Sequence, residues 1–205
     1  MRTTFLIFLL LAAASQLRAQ TGLPIPRNLQ PAFENGTRSH NGQPGKNYWQ
    51  NTADYALDVN FTPATRLISG TEIIEYTNQS PDTLRRIHFK LYPNLYKKGS
   101  PRAGMFKPED TGDGMAIERI TVNGEPQDAG AARIRGTGMD LRLRQPLLPG
   151  GLIRFAIDFS YTLNKGSHQR TGEVEEGAYF IAYFFPRIAV YDDVDGWNTN
   201  PYIGS

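Results

Sequence analysis

The 205-residue chain contains no cysteine. That excludes disulfide bracing, thiol catalysis and cysteine-ligated zinc, so the fold has to be held by its core. Histidine is scarce as well. His40, His88 and His168 are followed by Asn41, Phe89 and Gln169, so no His-Glu-x-x-His motif exists and the three rings lack ligand spacing. His88 falls mid-strand on the polar face and reads as a surface residue. There is no Gly-x-Ser-x-Gly elbow for a hydrolytic serine, and no Gly-rich loop set between a strand and a helix to cradle phosphate. No catalytic residue, metal ligand or cofactor is therefore assigned within the chain. Runs of one charge are missing too: Lys/Arg runs stop at two residues (Arg85-Arg86, Lys97-Lys98), which gives nucleic acid no footprint. The only long apolar run is Phe5 to Ala14, too short to span a bilayer.

That run reads as a secretion signal: Arg2 supplies charge, small residues follow, and Leu17-Arg18-Ala19 before Gln20 offers a cleavage site. Residues 1–19 are expected to be removed, giving a secreted or periplasmic bacterial protein with no stable membrane anchor. Cleavage takes Arg2 and Arg18 and lowers Lys+Arg from 22 to 20 against 20 Asp+Glu, so the mature chain is formally neutral. Residues 20–47, rich in Pro, Gly, Asn and Gln, read as a loose, flexible leader. The chain left after residues 1–19 is long enough for one sizeable core, and order is expected to begin at Tyr48-Trp49.

From Tyr48 onward the hydrophobic period is two, and no helix of useful length is indicated. Tyr55, Leu57, Val59 and Phe61 share one face of a first strand. Residues 67–77 form a second, with Ile73 and Ile74 on opposite faces, and Leu84 to Leu91 a third. Ile117 to Asn123 ends in Asn123-Gly124, a hairpin signal. Ala132 to Arg135 is short. Met139, Leu141 and Leu143 alternate with charged residues, then Pro149-Gly150-Gly151 turns the chain. Ile153, Phe155, Ile157, Phe159 and Tyr161 make the cleanest strand. Tyr179 to Phe185 reads as a last strand covered on both faces. The expected class is all-β, an antiparallel β-sandwich or saddle-shaped sheet behind a signal peptide and leader. Long connections at 92–114 and 162–178 are where binding residues tend to sit.

Two clusters remain. Tyr92, Tyr96, Tyr183 and Trp197 are candidates for a ligand platform, against plain core packing. Asp192-Asp193-Val-Asp195-Gly196-Trp197-Asn198 places oxygens at alternate positions with a Gly, which suits calcium. The Gly comes too early for an EF-hand and no acid closes the loop, so the simpler reading is a turn whose acids cap N–H groups. The dense aromatic and acidic segment runs to within three residues of the end of the sequence, which reads as the front portion of a longer protein.

Residues 48–205 resemble the N-terminal β-domain of the aminopeptidase N family of zinc metallopeptidases, the gluzincins. The resemblance is carried by Tyr48-Trp49-Gln-Asn-x-x-Asp54-Tyr55-x-Leu57-x-Val59, by Leu67-x-Ser69-Gly70-x-x-x-Ile74-x-Tyr76-x-Asn78-x-Ser80, and by Phe89-x-Leu91-Tyr92-Pro93-Asn94. The fourth motif is Phe185-Pro186-Arg187-x-Ala189-Val190-Tyr191-Asp192-Asp193-x-x-Gly196-Trp197-Asn198. The resemblance implies a non-catalytic domain flanking the cleft of a secreted zinc aminopeptidase. Its partners would be a missing C-terminal catalytic domain, which would hold the zinc, and a peptide substrate. Residues 186–205 would pack toward that domain, with Pro186, Tyr191, Asp192, Asp193, Trp197 and Asn198 at the interface. Family members anchor the substrate's amino terminus with a Gln or Glu just upstream of the Pro. Here Ala182-Tyr183 stands at that point, so the cleft candidates are Tyr183 and the nearby Glu175 and Glu176. The alternative is a free-standing secreted β-sandwich module binding sugar, peptide or a surface partner.

Overall fold

The computed structural model describes residues 24–128, 130–166 and 169–204. The signal segment 1–19 and His168 lie outside them. Contacts divide the chain into two units, at Asn47/Tyr48.

The first unit is small. A five-residue helix, α1 (Gln30–Glu34), carries a Pro in its first turn. Thr37 Oγ1 donates to Ala32 O at 2.9 Å, and the N–H groups of Gly45 and Asn47 donate back to Thr37 O and Gly36 O, both at 2.9 Å. Phe33 lies on the His40 ring at 4.9 Å. Local hydrogen bonds do here what apolar burial does elsewhere.

The second unit is all-β. A five-stranded antiparallel sheet has the order β1 (Thr52–Thr62), β2 (Leu67–Thr77), β8 (Leu152–Thr162), β4 (Ala116–Val122), β5 (Glu125–Pro126). A four-stranded sheet has the order β11 (Arg187–Ile188), β3 (Leu84–Lys90), β7 (Gly138–Leu147), β6 (Ala132–Arg135). Two ribbons complete it, β9 (Thr171–Glu175) with β10 (Ala178–Ile181), and β12 (Tyr191–Asp192) with β13 (Gly196–Trp197).

The sheets face each other across a core built by period-two alternation. Ile153, Phe155, Ile157, Phe159 and Tyr161 of β8 are all buried, as are Met139, Leu141 and Leu143 of β7. Phe155 meets Phe89 of β3 edge-on at 5.6 Å, a preferred aromatic geometry. Asn123 and Gly124 both adopt positive φ, 51° and 87°, and turn β4 into β5.

Tyr55, Leu57, Val59 and Phe61 share one face of β1, where Leu57 and Val59 are each 38% exposed because β1 is an edge strand with a neighbour on one side only. Two expectations are corrected. The strand expected over Tyr179 to Phe185 stops at Ile181. Phe180 is 55% exposed, and Tyr183 takes φ 56°, a left-handed conformation that ends pairing. His88 is not at the surface but 4% exposed, and Lys90 on the same face of β3 is 8% exposed, its Nζ bonded to the chain at Asn198 and Asn200.

Candidate functional site

The segment from Tyr179 to Trp197 lies along the inward side of β1 and β2 and then crosses to β3. Tyr179 packs on Phe61 at 5.0 Å and Phe185 on Tyr55 at 5.5 Å. The Ile188 N–H donates to the Tyr55 hydroxyl at 3.0 Å, and burial raises that phenol above its ordinary pKa. Pro186 is buried. The Ala189 N–H donates to His88 O at 2.8 Å, and β11 pairs Arg187 with Lys90 and Ile188 with Phe89.

Beyond Val190 the β12–β13 ribbon makes the loop that sequence reading singled out. Asp192 Oδ1 accepts from the N–H groups of Val194 at 2.9 Å and Asp195 at 2.8 Å, so that oxygen caps the turn. Gly196 adopts φ 69°. The Asn198 N–H returns to Val190 O at 2.8 Å. Trp197 is 8% exposed, with Tyr76 at 6.2 Å and Tyr191 at 5.0 Å. Tyr191 also touches Trp49 at 5.8 Å and donates its hydroxyl to Asp82 Oδ2 at 2.8 Å. Asp193 is half-buried and Asn198 exposed. Among the described residues no three His, Asp or Glu side chains gather as metal ligands, so they offer zinc no donor set.

Lys90 anchors the end of this segment. Its Nζ donates to Asn200 O at 2.7 Å and to Asn198 Oδ1 at 3.3 Å, and desolvation lowers its pKa. Beside it, His88 Nδ1 lies 3.0 Å from Asp140 Oδ1. A carboxylate can only accept, so Nδ1 carries the proton and Nε2 is left buried with no hydrogen-bond partner.

Tyr183 sits in an aromatic pocket. Its ring lies 5.1 Å from that of Tyr92, which meets Tyr202 edge-on at 5.1 Å. The Arg170 guanidinium caps Tyr183 at 5.1 Å and donates to its hydroxyl. Leu95, Tyr96 and Gln169 are among the other lining residues. Glu175 and Glu176 are not part of it. Both are exposed at the turn of the β9–β10 ribbon, while Tyr183 follows the opposite end, where Thr171 pairs with Ile181. Three residue steps separate the two ends, roughly 10 Å. Of the four platform aromatics, Tyr92 and Tyr183 are in contact, Tyr96 lines the same pocket and stacks on Phe106 at 5.1 Å, and Trp197 is in the core. Arg170 and Tyr202 had no sequence motif to reveal them; the fold alone brings them to Tyr183.

No protein-family model and no curated protein matches the chain. Solved structures resemble it at low identity. An M1 zinc metallopeptidase from Deinococcus radiodurans, a mutant bound to a Tyr-Ser-Ala substrate, aligns at 15% identity with a TM-score of 0.39, over 61% of this chain and 23% of that one. Another structure of the M1 zinc metallopeptidase from that organism aligns at 16% identity and TM-score 0.39, over 56% and 21%. A two-domain M1 zinc metallopeptidase mutant bound to L-tryptophan aligns at 16% and 0.40, over 62% and 24%. The chain thus spans less than a quarter of the length of these structures. Likeness at this level concerns the course of the strands and assigns no residue a role.

Proposed function

We propose that this chain is the non-catalytic N-terminal β-domain of a secreted, zinc-dependent aminopeptidase, standing beside the active-site cleft of a catalytic domain that lies outside it. The observation that carries the reading is the Phe185–Asn198 segment. The residues by which it resembles the family form one tied unit: Pro186, Ala189 and Trp197 point inward, while Val190 is left 65% exposed. A groove of about 180 Å³, lined by Gln50, Asn51, Ala53, Tyr76, Ile188 and Val190, opens beside it. In this reading the groove and the exposed Val190 beside it receive the catalytic domain. Tyr191, Asp192, Asp193 and Asn198 lie at the interface, Pro186 and Trp197 are corrected to buried residues that hold the segment from within, Tyr183 faces the substrate side, and zinc belongs to the catalytic domain.

The test compares the 205-residue chain with the product of the same reading frame continued downstream. The chain alone should cleave no aminoacyl reporter. The longer product should carry a His-Glu-x-x-His motif, hold one zinc by elemental analysis and release the amino-terminal residue of peptides. Turnover by the chain alone, or a longer product without zinc, would overturn the proposal.

A further inference from the structure

The two outer faces of the sandwich carry opposite charge. On the five-stranded sheet, Asp54 pairs with Glu75 and Glu75 with Arg154, while Asp158 pairs with Thr71 and with Arg119. Glu118 joins them through Ser160 Oγ, and Asp58 lies opposite Thr71. Five acids thus face out with two arginines, and both arginines are taken up, Arg119 by Asp158 at 2.7 Å and Arg154 by Glu75 at 3.8 Å.

The four-stranded sheet is the reverse. Its alternation sends Ile87, Phe89, Met139, Leu141 and Leu143 inward and Arg86, Arg133, Arg135, Arg142 and Arg144 outward, all five exposed. The register sets Arg86 directly opposite Arg142, a like-charge pair that costs stability where nothing neutralises it. Asp140 lies opposite Arg133, but is shared with His88 at 3.0 Å and with Arg86 at 3.9 Å. Arg144 reaches Asp128, which is 84% exposed. Arg133, Arg135 and Arg142 have no carboxylate partner among the described residues.

We infer that this arginine face is a binding surface for an acidic polysaccharide, a polymer bearing sulfate or carboxylate groups. The arginines stand on three adjacent strands about 4.8 Å apart and at two-residue intervals of about 6.8 Å along them, so one small anion meets two at most, whereas a chain of anions meets all five. All are Arg, whose fork engages carboxylate or sulfate with two parallel hydrogen bonds. The outward positions of these strands themselves, from Arg86 to Lys90, Arg133 to Arg135 and Gly138 to Arg144, carry no Phe, Tyr, Trp or aliphatic side chain. The five arginines therefore have no stacking platform for single-stranded nucleic acid and no apolar group for a membrane interface set between them. The acidic opposite face repels the same polymer and confines it to one side.

The test is titration of the full 205-residue chain with a sulfated and a uronate polysaccharide at low and physiological ionic strength, beside neutral dextran, phosphatidylglycerol vesicles and duplex DNA. Both acidic polysaccharides should bind, more weakly as salt rises, and dextran should not. Arg133→Glu/Arg135→Glu/Arg142→Glu should lose at least an order of magnitude in affinity, whereas Arg154→Glu on the other face should stay within about twofold. If the charge-reversed triple does not fold, the corresponding Gln triple replaces it and should lose affinity in the same direction. No binding at low salt, tighter binding to vesicles or DNA than to polysaccharide, or equal affinity of triple variant and wild type would each overturn the assignment.

Discussion

Glu72→Met is expected to stabilise the β-sandwich by about 3 kcal/mol at pH 7 and to remove the fall in stability that Glu72 causes between pH 4.5 and about 9. Glu72 occupies the inward stripe of β2, between Gly70 and Ile74, opposite Leu57 of β1 and Ile157 of β8. It is fully buried, and neither carboxyl oxygen has a hydrogen-bond partner. Desolvation raises its pKa to about 9. The groups that act on this region are Tyr55 on β1, itself a neutral phenol, and Arg187, which pairs with β3 and lies over Phe185. Neither bonds the carboxyl.

The sign follows from proton counting. In the unfolded chain Glu72 ionises near its ordinary value of 4.5, whereas the folded domain keeps the proton up to about 9. Between those values the folded state binds more protons, so stability falls as pH rises, at about 1.4 kcal/mol per unit for this group, and levels off above the folded pKa. Below 4.5 both states are protonated and that contribution vanishes, leaving only the cost of an unsatisfied carboxyl. Methionine has similar length and no charge to desolvate. Urea unfolding at pH 5, 7 and 8.5 reads the difference: it should widen with pH. Parallel pH profiles for wild type and variant would mean that Glu72 finds a partner in solution.

A buried acid of this kind is where pattern reading fails for a physical reason. Period-two alternation places Ile68, Gly70, Glu72, Ile74 and Tyr76 on one face, yet a glutamate reads as polar and is passed over. His88 failed similarly: β3 alternates as expected, but its polar face is closed in, with Lys90 bonded to Asn198 and Asn200 from far along the chain, and nothing local to the strand announces that. What alternation could specify came through. The inward side chains of β8 and β7 are the core, Asn123-Gly124 is the hairpin, and Ile73 and Ile74 do lie on opposite faces. The site was legible in part. The Phe185–Asn198 segment stood out by its density of aromatic and acidic residues, but not the partners that fix it, Tyr55, Tyr76 and Lys90. Glu175 and Glu176 were grouped with Tyr183 by nearness in sequence, and the β9–β10 ribbon carries them away from it.

Trp197→Ala should be the most damaging single change in the C-terminal segment, destabilising the domain by about 3–5 kcal/mol in denaturant unfolding. The indole is buried between Tyr76 of the five-stranded sheet and Tyr191 of its own ribbon, and Tyr191 in turn holds Trp49 and Asp82. Removing it opens a cavity that rigid rings cannot collapse into, and the neighbouring phenols bear the consequence. Burial lifts the Tyr76 pKa to about 12 and raises that of Tyr191, with the hydrogen-bonded Asp82 carboxylate acting in the same direction on Tyr191. In the variant both should ionise closer to pH 10, readable by ultraviolet titration as tyrosinate absorbance at lower pH. Val190→Ala, in the same segment but 65% exposed, should cost under about 0.5 kcal/mol and leave the phenols unmoved. The pair also bears on the proposed interface. If a catalytic domain seats against this segment, Val190→Ala should weaken the longer protein more than the 205-residue chain, because only there is its side chain covered, while Trp197→Ala should weaken both. Equal, negligible effects of Val190→Ala in both proteins would remove the Val190 lip from the interface.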